Sequence, residues 1–133
     1  MRDIGHEYGA TTGRERRCGW IDLPALKYAI MINGVTELCM MKADVLDSFE
    51  EIKVCTHYKI NGEEFDYFPF EIGKDTIPVY KSLKGWNTDI TNLIDQNNLP
   101  KELLDYIHFL EAELEVPIKI VSVGPNRSAT IKR

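Results

Sequence analysis

Polar and apolar residues alternate along "IKVCTHYKI", residues 52–60, with Ile52, Val54, Tyr58 and Ile60 on one face and Lys53, Cys55, His57 and Lys59 on the other. A period of two marks a half-buried strand. The "NG" at 61–62 predicts a tight hairpin turn, and "EEFDYFPF" (63–70) the return strand, its end placed at an edge or outside the ladder by Pro69. "VTELCMM" (35–41) is apolar without alternation, the pattern of a strand covered on both faces, which belongs mostly to parallel sheets. Helical periodicity appears twice. "DLPALKYAIMIN" (22–33) has a capping Asp, a first-turn Pro, apolar Leu23, Leu26 and Ile30, and Gly34 after its end. A second helix is predicted from near Asn98, with Pro100 in its first turn, through "KELLDYIHFLEAELE", where Leu103, Ile107, Leu110 and Leu114 form one stripe. "PIKIVSVGP" then reads as a strand over 117–123 closed by Gly-Pro, "IPVYKSLKGW" (77–86) as a short extended piece, and "NTDITNLIDQNN" (87–98) as a surface loop or an irregular helix. This order predicts an α/β fold: part of a mainly parallel sheet with flanking helices and an antiparallel hairpin excursion.

With 133 residues, 44% of them apolar, the chain is long enough for one core, and 1–133 is read as a single unit. The order of elements holds no repeat, low-complexity tract or linker. A net charge of −5 and a pI near 5.2 provide no overall field for nucleic acid or an anionic membrane, so a cationic role must be local. No apolar run approaches the length of a membrane span, and "MRDIGHEYG" lacks the core of a signal peptide. Cys18, Cys39 and Cys55 are odd in number and never spaced as CxxC, which argues against a disulfide framework or zinc knuckle. A cytoplasmic protein is expected.

Three stretches suggest chemistry. "GATTGRERRCGW" (9–20) combines glycines, hydroxyls and guanidinium groups: Thr11, Thr12 and the Gly13 amide suit one oxyanion, and Arg14 and Arg16 can clamp another. The alternative is a solvated basic surface or a nucleic-acid contact. The segment is not a Walker A loop, and "HEYGA" is not a zinc-protease motif. "KAD" (Lys42, Ala43, Asp44) follows a predicted buried strand, where ligands gather in open α/β sheets. One carboxylate there can accept both N1–H and the exocyclic amine of guanine while a lysine stem covers the ring. Otherwise Asp44 simply starts the next turn. "SVG" (Ser122, Val123, Gly124) lies at a second strand end, where exposed amides can donate to a purine carbonyl, or where an ordinary turn can form. His6, His57 and His108 are scattered without metal-ligand spacing, and Cys18 has no visible activating partner.

Assembled in order, "GHEYGATTGRERRCGW", "MMKADVLD", "PVYKSLKGW" and "IVSVGPNR" resemble the C-terminal part, roughly the last third, of the adenylosuccinate synthetase family, over essentially the whole chain. The resemblance implies a GTP-dependent ligase that joins L-aspartate to IMP with magnesium in AMP biosynthesis, working as a cytoplasmic homodimer. It implies an aspartate loop at Ala10, Thr11, Thr12, Gly13, Arg14 and Arg16, with Arg14 also touching IMP and Arg16 also approaching GTP. It implies GTP contacts at Lys42, Ala43 and Asp44 and at Ser122, Val123 and Gly124. The family's phosphate loop and its catalytic Asp and His lie in an N-terminal portion without counterpart here, so no catalytic residue or metal ligand is assigned and the chain alone is expected to be inactive. Glu15, Ala43 and Asn126 depart from the residues associated with the family at those positions.

Overall fold

The computed structural model describes residues 1–133. Its elements are β1 (Ile21–Asp22), α1 (Leu23–Asn33), β2 (Leu38–Met40), β3 (Glu51–Ile60), β4 (Glu63–Phe65), β5 (Thr76–Lys84), α2 (Lys101–Leu114), β6 (Ile118–Ser122) and β7 (Thr130–Lys132), with 3-10 turns at Ala43–Leu46 and Gln96–Asn98. One sheet centres on β3, which pairs antiparallel with β5 along its length and uses its other edge for parallel β1 and antiparallel β4. The second sheet has the order β2-β6-β7, with β2·β6 parallel and β6·β7 antiparallel. The α/β class is observed. Its parallel share is smaller than expected, because the long β3·β5 ladder and the returning β7 supply antiparallel pairing that the apolar pattern does not announce.

α1 starts and stops as its sequence dictates. The Asp22 carboxylate accepts from the Ala25 amide at 3.0 Å, Pro24 occupies the first turn, and Gly34 closes the helix at φ 59°. The second Asp22 oxygen accepts from the Tyr58 hydroxyl at 2.5 Å, so the cap also fastens the helix to β3. α2 buries Leu103, Ile107, Leu110 and Leu114 as expected, together with Tyr106. It begins at Lys101, with Pro100 just outside rather than in the first turn. Its end is held from the chain terminus: Glu111 accepts from the Ile118 amide and from Arg133, both at 2.8 Å. The core draws on both sheets and both helices, with Leu23, Ile52, Val54, Leu103, Ile107 and Val121 almost fully enclosed.

Four expectations need correction. β2 is shorter than 35–41 and is not covered on both faces: Cys39 within it and Met41 just after it are exposed, and the strand pairs only with β6, at the edge of its sheet. In β3 the register shifts between Cys55 and His57, with Thr56 as the extra residue, so strict alternation breaks down at this point, and Cys55 is buried instead of facing out. The return strand ends at Phe65 rather than reaching 70, after a two-residue turn in which Asn61 and Gly62 both have positive φ, the conformation an "NG" hairpin needs. The 87–98 segment is irregular apart from one 3-10 turn, yet it is not merely a surface loop. Ile90 is fully buried, and Asp47 accepts from the Trp86 indole at 2.8 Å and from the Ile90 amide at 3.0 Å.

Candidate functional site

Because β2 and β6 run parallel as direct neighbours, with Met40 opposite Val121, their carboxyl ends emerge side by side. Lys42 and the Ala43–Leu46 turn follow one strand, and Ser122 to Gly124 finish the other. Between them lies a cleft of about 730 Å³ bordered by Lys42, Asp44, Ser122, Gly124, Asn126 and Arg127. This volume is within the range of small-molecule sites.

The cleft is polar where the neighbouring structure is not. Ala43 and Val45 on either side of Asp44 are buried, which anchors the turn and fixes the carboxylate between them. Oδ1 of Asp44 is buried and accepts no hydrogen bond within the chain. Such an unmet acceptor is costly, and buried polar atoms are nearly always paired. On the facing strand, Ser122 is 4% exposed and its hydroxyl donates to the Gly124 carbonyl at 3.0 Å, pinning the corner. The Val123 amide is already bound to the Ala129 carbonyl at 2.9 Å. Ala43 and Val123 have their side chains in the core, so only their main chain is left to meet a ligand.

The opening segment forms a small hairpin. Tyr8 and Glu15 bridge, Gly9 and Arg14 share a hydrogen bond at 2.8 Å, and the Arg16 amide donates to the Glu7 carbonyl at 2.9 Å. Ala10, Thr11, Thr12 and Gly13 make its tip, and all are exposed, as are Arg14 and Arg16. The Gly13 amide, expected to meet an oxyanion, instead donates to Gly9 at 2.9 Å, closing the turn at φ 66°. Thr12 Oγ1 accepts from the Arg14 amide at 3.3 Å. The tip's remaining amides, those of Ala10, Thr11 and Thr12, have no backbone partner. Glu15 is paired with Arg2 at 2.9 Å, so its charge is largely answered on the outer side of the hairpin.

Hairpin and cleft meet through Glu7. Its carboxylate accepts from the Lys42 ammonium on one oxygen and from Arg16 at 3.1 Å on the other, while Lys42 also donates to the Gly5 carbonyl at 2.7 Å. Hydrogen bonds from Lys42 first and Arg16 second hold the Glu7 carboxyl below the usual range. Gly5, His6, Glu7 and Arg127 lie within the stretches that carry the family resemblance, but nothing in the sequence assigns them a role, and only the fold brings them beside Lys42. No group of three or more His, Cys, Asp or Glu side chains converges as a metal site.

The family model described as adenylosuccinate synthetase matches residues 1–131. The adenylosuccinate synthetase of Phocaeicola vulgatus is 63% identical over 133 residues, covering all of this chain and 31% of that protein; that of Bacteroides thetaiotaomicron is 58% identical with the same coverage. The structure of fully ligated adenylosuccinate synthetase from Plasmodium falciparum superposes with a TM-score of 0.93 at 40% identity, over 99% of this chain and 32% of that one. The chain thus spans about a third of the length of the relatives it matches, and it belongs to the adenylosuccinate synthetase family.

Proposed function

We propose that this chain is the C-terminal third of a synthetase that ligates L-aspartate to IMP at the expense of GTP, and that it supplies the guanine-reading corner and the aspartate turn. The observation that carries the reading is Asp44, with one carboxylate oxygen buried and unpartnered, at the border of a cleft whose other wall is Ser122 to Gly124. Guanine answers it with two adjacent donors, N1–H and the 2-amino group, whereas adenine offers an acceptor at N1. The Lys42 ammonium is tethered to Gly5 and Glu7, which leaves its stem to lie against the ring. At the hairpin tip, the Ala10, Thr11 and Thr12 amides and the guanidinium of Arg14 receive the dicarboxylic acid, with Arg14 shared with IMP and Arg16 with GTP.

In this reading GTP phosphorylates the IMP 6-oxygen and the aspartate amine displaces phosphate. The residues in hand orient substrates and stabilise oxyanions; none is the general base. Magnesium and the catalytic Asp and His belong to the remaining two-thirds, and the whole enzyme is a cytoplasmic homodimer. Support for a missing neighbour comes from an apolar groove of about 290 Å³ bordered by Ile21, Leu26, Met40, Tyr106 and Leu110, open between α1, α2 and the free edge of β2.

Titration of the chain with GDP and ADP tests the reading. Weak GDP binding is expected, with ADP at least tenfold weaker, and Asp44→Asn should remove the preference. The chain alone should show no synthetase turnover. Equal binding of GDP and ADP would defeat the guanine assignment, and absence of all binding would leave a noncatalytic folding unit.

A further inference from the structure

Glu7 is the one carboxylate that touches both halves of the site. It sits on the first arm of the hairpin, where its amide donates to the Arg2 carbonyl and its carbonyl accepts from the Arg16 amide, each at 2.9 Å. Its backbone is therefore fixed before its side chain is considered. The two carboxylate oxygens then divide between different elements: one takes the ammonium of Lys42 at the end of β2, the other the guanidinium of Arg16 on the returning arm. The Glu7 side chain is only 25% exposed, against 51% for Lys42 and 58% for Arg16, so the anion is the better-ordered member of the triad.

We propose that Glu7 is a positioning residue that couples the oxyanion turn to the guanine-reading corner, so that filling one site pre-orders the cation serving the other. The proposal rests on the functional reading above. Lys and Arg have long, rotamer-rich side chains, and holding both against one carboxylate removes freedom that a ligand would otherwise have to remove. The bridge also screens the repulsion between the two cations. A dicarboxylate at the tip that draws on Arg14 and orders the hairpin arm stabilises Arg16 against Glu7. That in turn holds Glu7 against Lys42, whose stem borders the cleft. Linkage requires the reverse effect to be equal: nucleotide in the cleft must tighten the turn's hold on the dicarboxylate by the same factor.

The experiment measures GDP affinity of the 133-residue chain by calorimetry with and without saturating L-aspartate, and L-aspartate affinity with and without saturating GDP. The wild-type chain should show the same enhancement, about fivefold or more, in both directions. Glu7→Gln, which keeps the shape and removes the charge, should reduce the enhancement to near one, while GDP affinity without aspartate falls as the Lys42 tether is released. Glu7→Asp should restore part of the enhancement, and a merely structural role would lower both affinities while leaving the enhancement intact. An undiminished enhancement in Glu7→Gln, or none in a wild-type chain that binds both ligands, overturns the coupling alone. A wild-type chain that does not discriminate GDP from ADP overturns the underlying assignment instead.

Discussion

The two parts of the site are built in opposite ways. The cleft at the ends of β2 and β6 is an extension of the core: Ala43, Val45 and Val123 flank its polar atoms and are themselves buried. The opening hairpin is exposed from Thr11 to Gly19, and polar contacts of Glu7, Arg2, Glu15 and Arg16 do much to hold it in place. The difference matches what each part would recognise. Discriminating one purine edge from another needs a donor or acceptor fixed to within tenths of an ångström and left unmet when the wrong base arrives. Gripping an oxyanion needs charge and amides, which tolerate a looser frame and gain by closing on the ligand.

The sharpest way to break the contrast is to damage the core beneath the cleft and leave the hairpin untouched. Gly85 allows the end of β5 to pass against Phe49: a Cβ at 85 would lie 1.9 Å from the Phe49 carbonyl oxygen, and the Gly85 amide donates to the Glu50 carbonyl at 2.8 Å. Neither backbone can yield without breaking the β3·β5 ladder. The next residue is Trp86, whose indole bonds Asp47 at the exit of the Asp44 turn. Gly85→Ala should therefore cost about 3 kcal/mol or more, read from chemical denaturation. A loss below about 1 kcal/mol would show that the cleft does not depend on this corner.

Much of the fold is legible in the sequence, and the reasons differ by element. α2 declared itself because its stripe is a local property of period 3.6, and the "NG" turn because positive φ at two successive positions restricts residue choice. β7 was invisible: Thr130–Lys132 is three residues long, and it is a strand only because β6 passes beside it. The edge status of β2 was equally hidden, since an apolar run does not say how many neighbours a strand has. For the site, Lys42, Asp44, Ser122 and Gly124 were singled out singly as strand-end residues, and their convergence follows from the parallel β2·β6 pairing. The bridging role of Glu7 depends on side-chain reach between segments 35 residues apart, which no local pattern encodes.

A smaller effect of opposite sign should sharpen the comparison. Asp44 leaves a carboxylate oxygen buried without a partner, a burden on the empty fold that the proposed guanine contact would relieve. Asp44→Ala removes that oxygen, keeps a residue compatible with the 3-10 turn, and should raise stability by about 1 kcal/mol while abolishing discrimination between guanine and adenine nucleotides. Thermal unfolding of the two chains without ligand, set beside their GDP affinities, gives both readings. A variant less stable than wild type would mean that Asp44 is a structural residue of the turn and not a recognition residue held at a cost.

The smallest effect is expected on the hairpin. Glu15 meets Arg2 at 2.9 Å, but its side chain is 66% exposed, and exposed ion pairs of this kind contribute little because water and salt screen them and two long side chains must be held still. Glu15→Ala should change global stability by less than about 0.5 kcal/mol. Its consequence should be local and electrostatic: one negative charge leaves the arm between Arg14 and Arg16, so the tip becomes a stronger anion trap at low ionic strength. Affinity for L-aspartate should then rise up to about threefold in dilute buffer, and the gain should fade as salt shortens the Debye length to about 8 Å near 0.15 M. A loss of stability above 1 kcal/mol would place the hairpin inside the cooperative fold like the cleft, and a salt-independent gain would point to reshaping of the tip instead of removal of a charge.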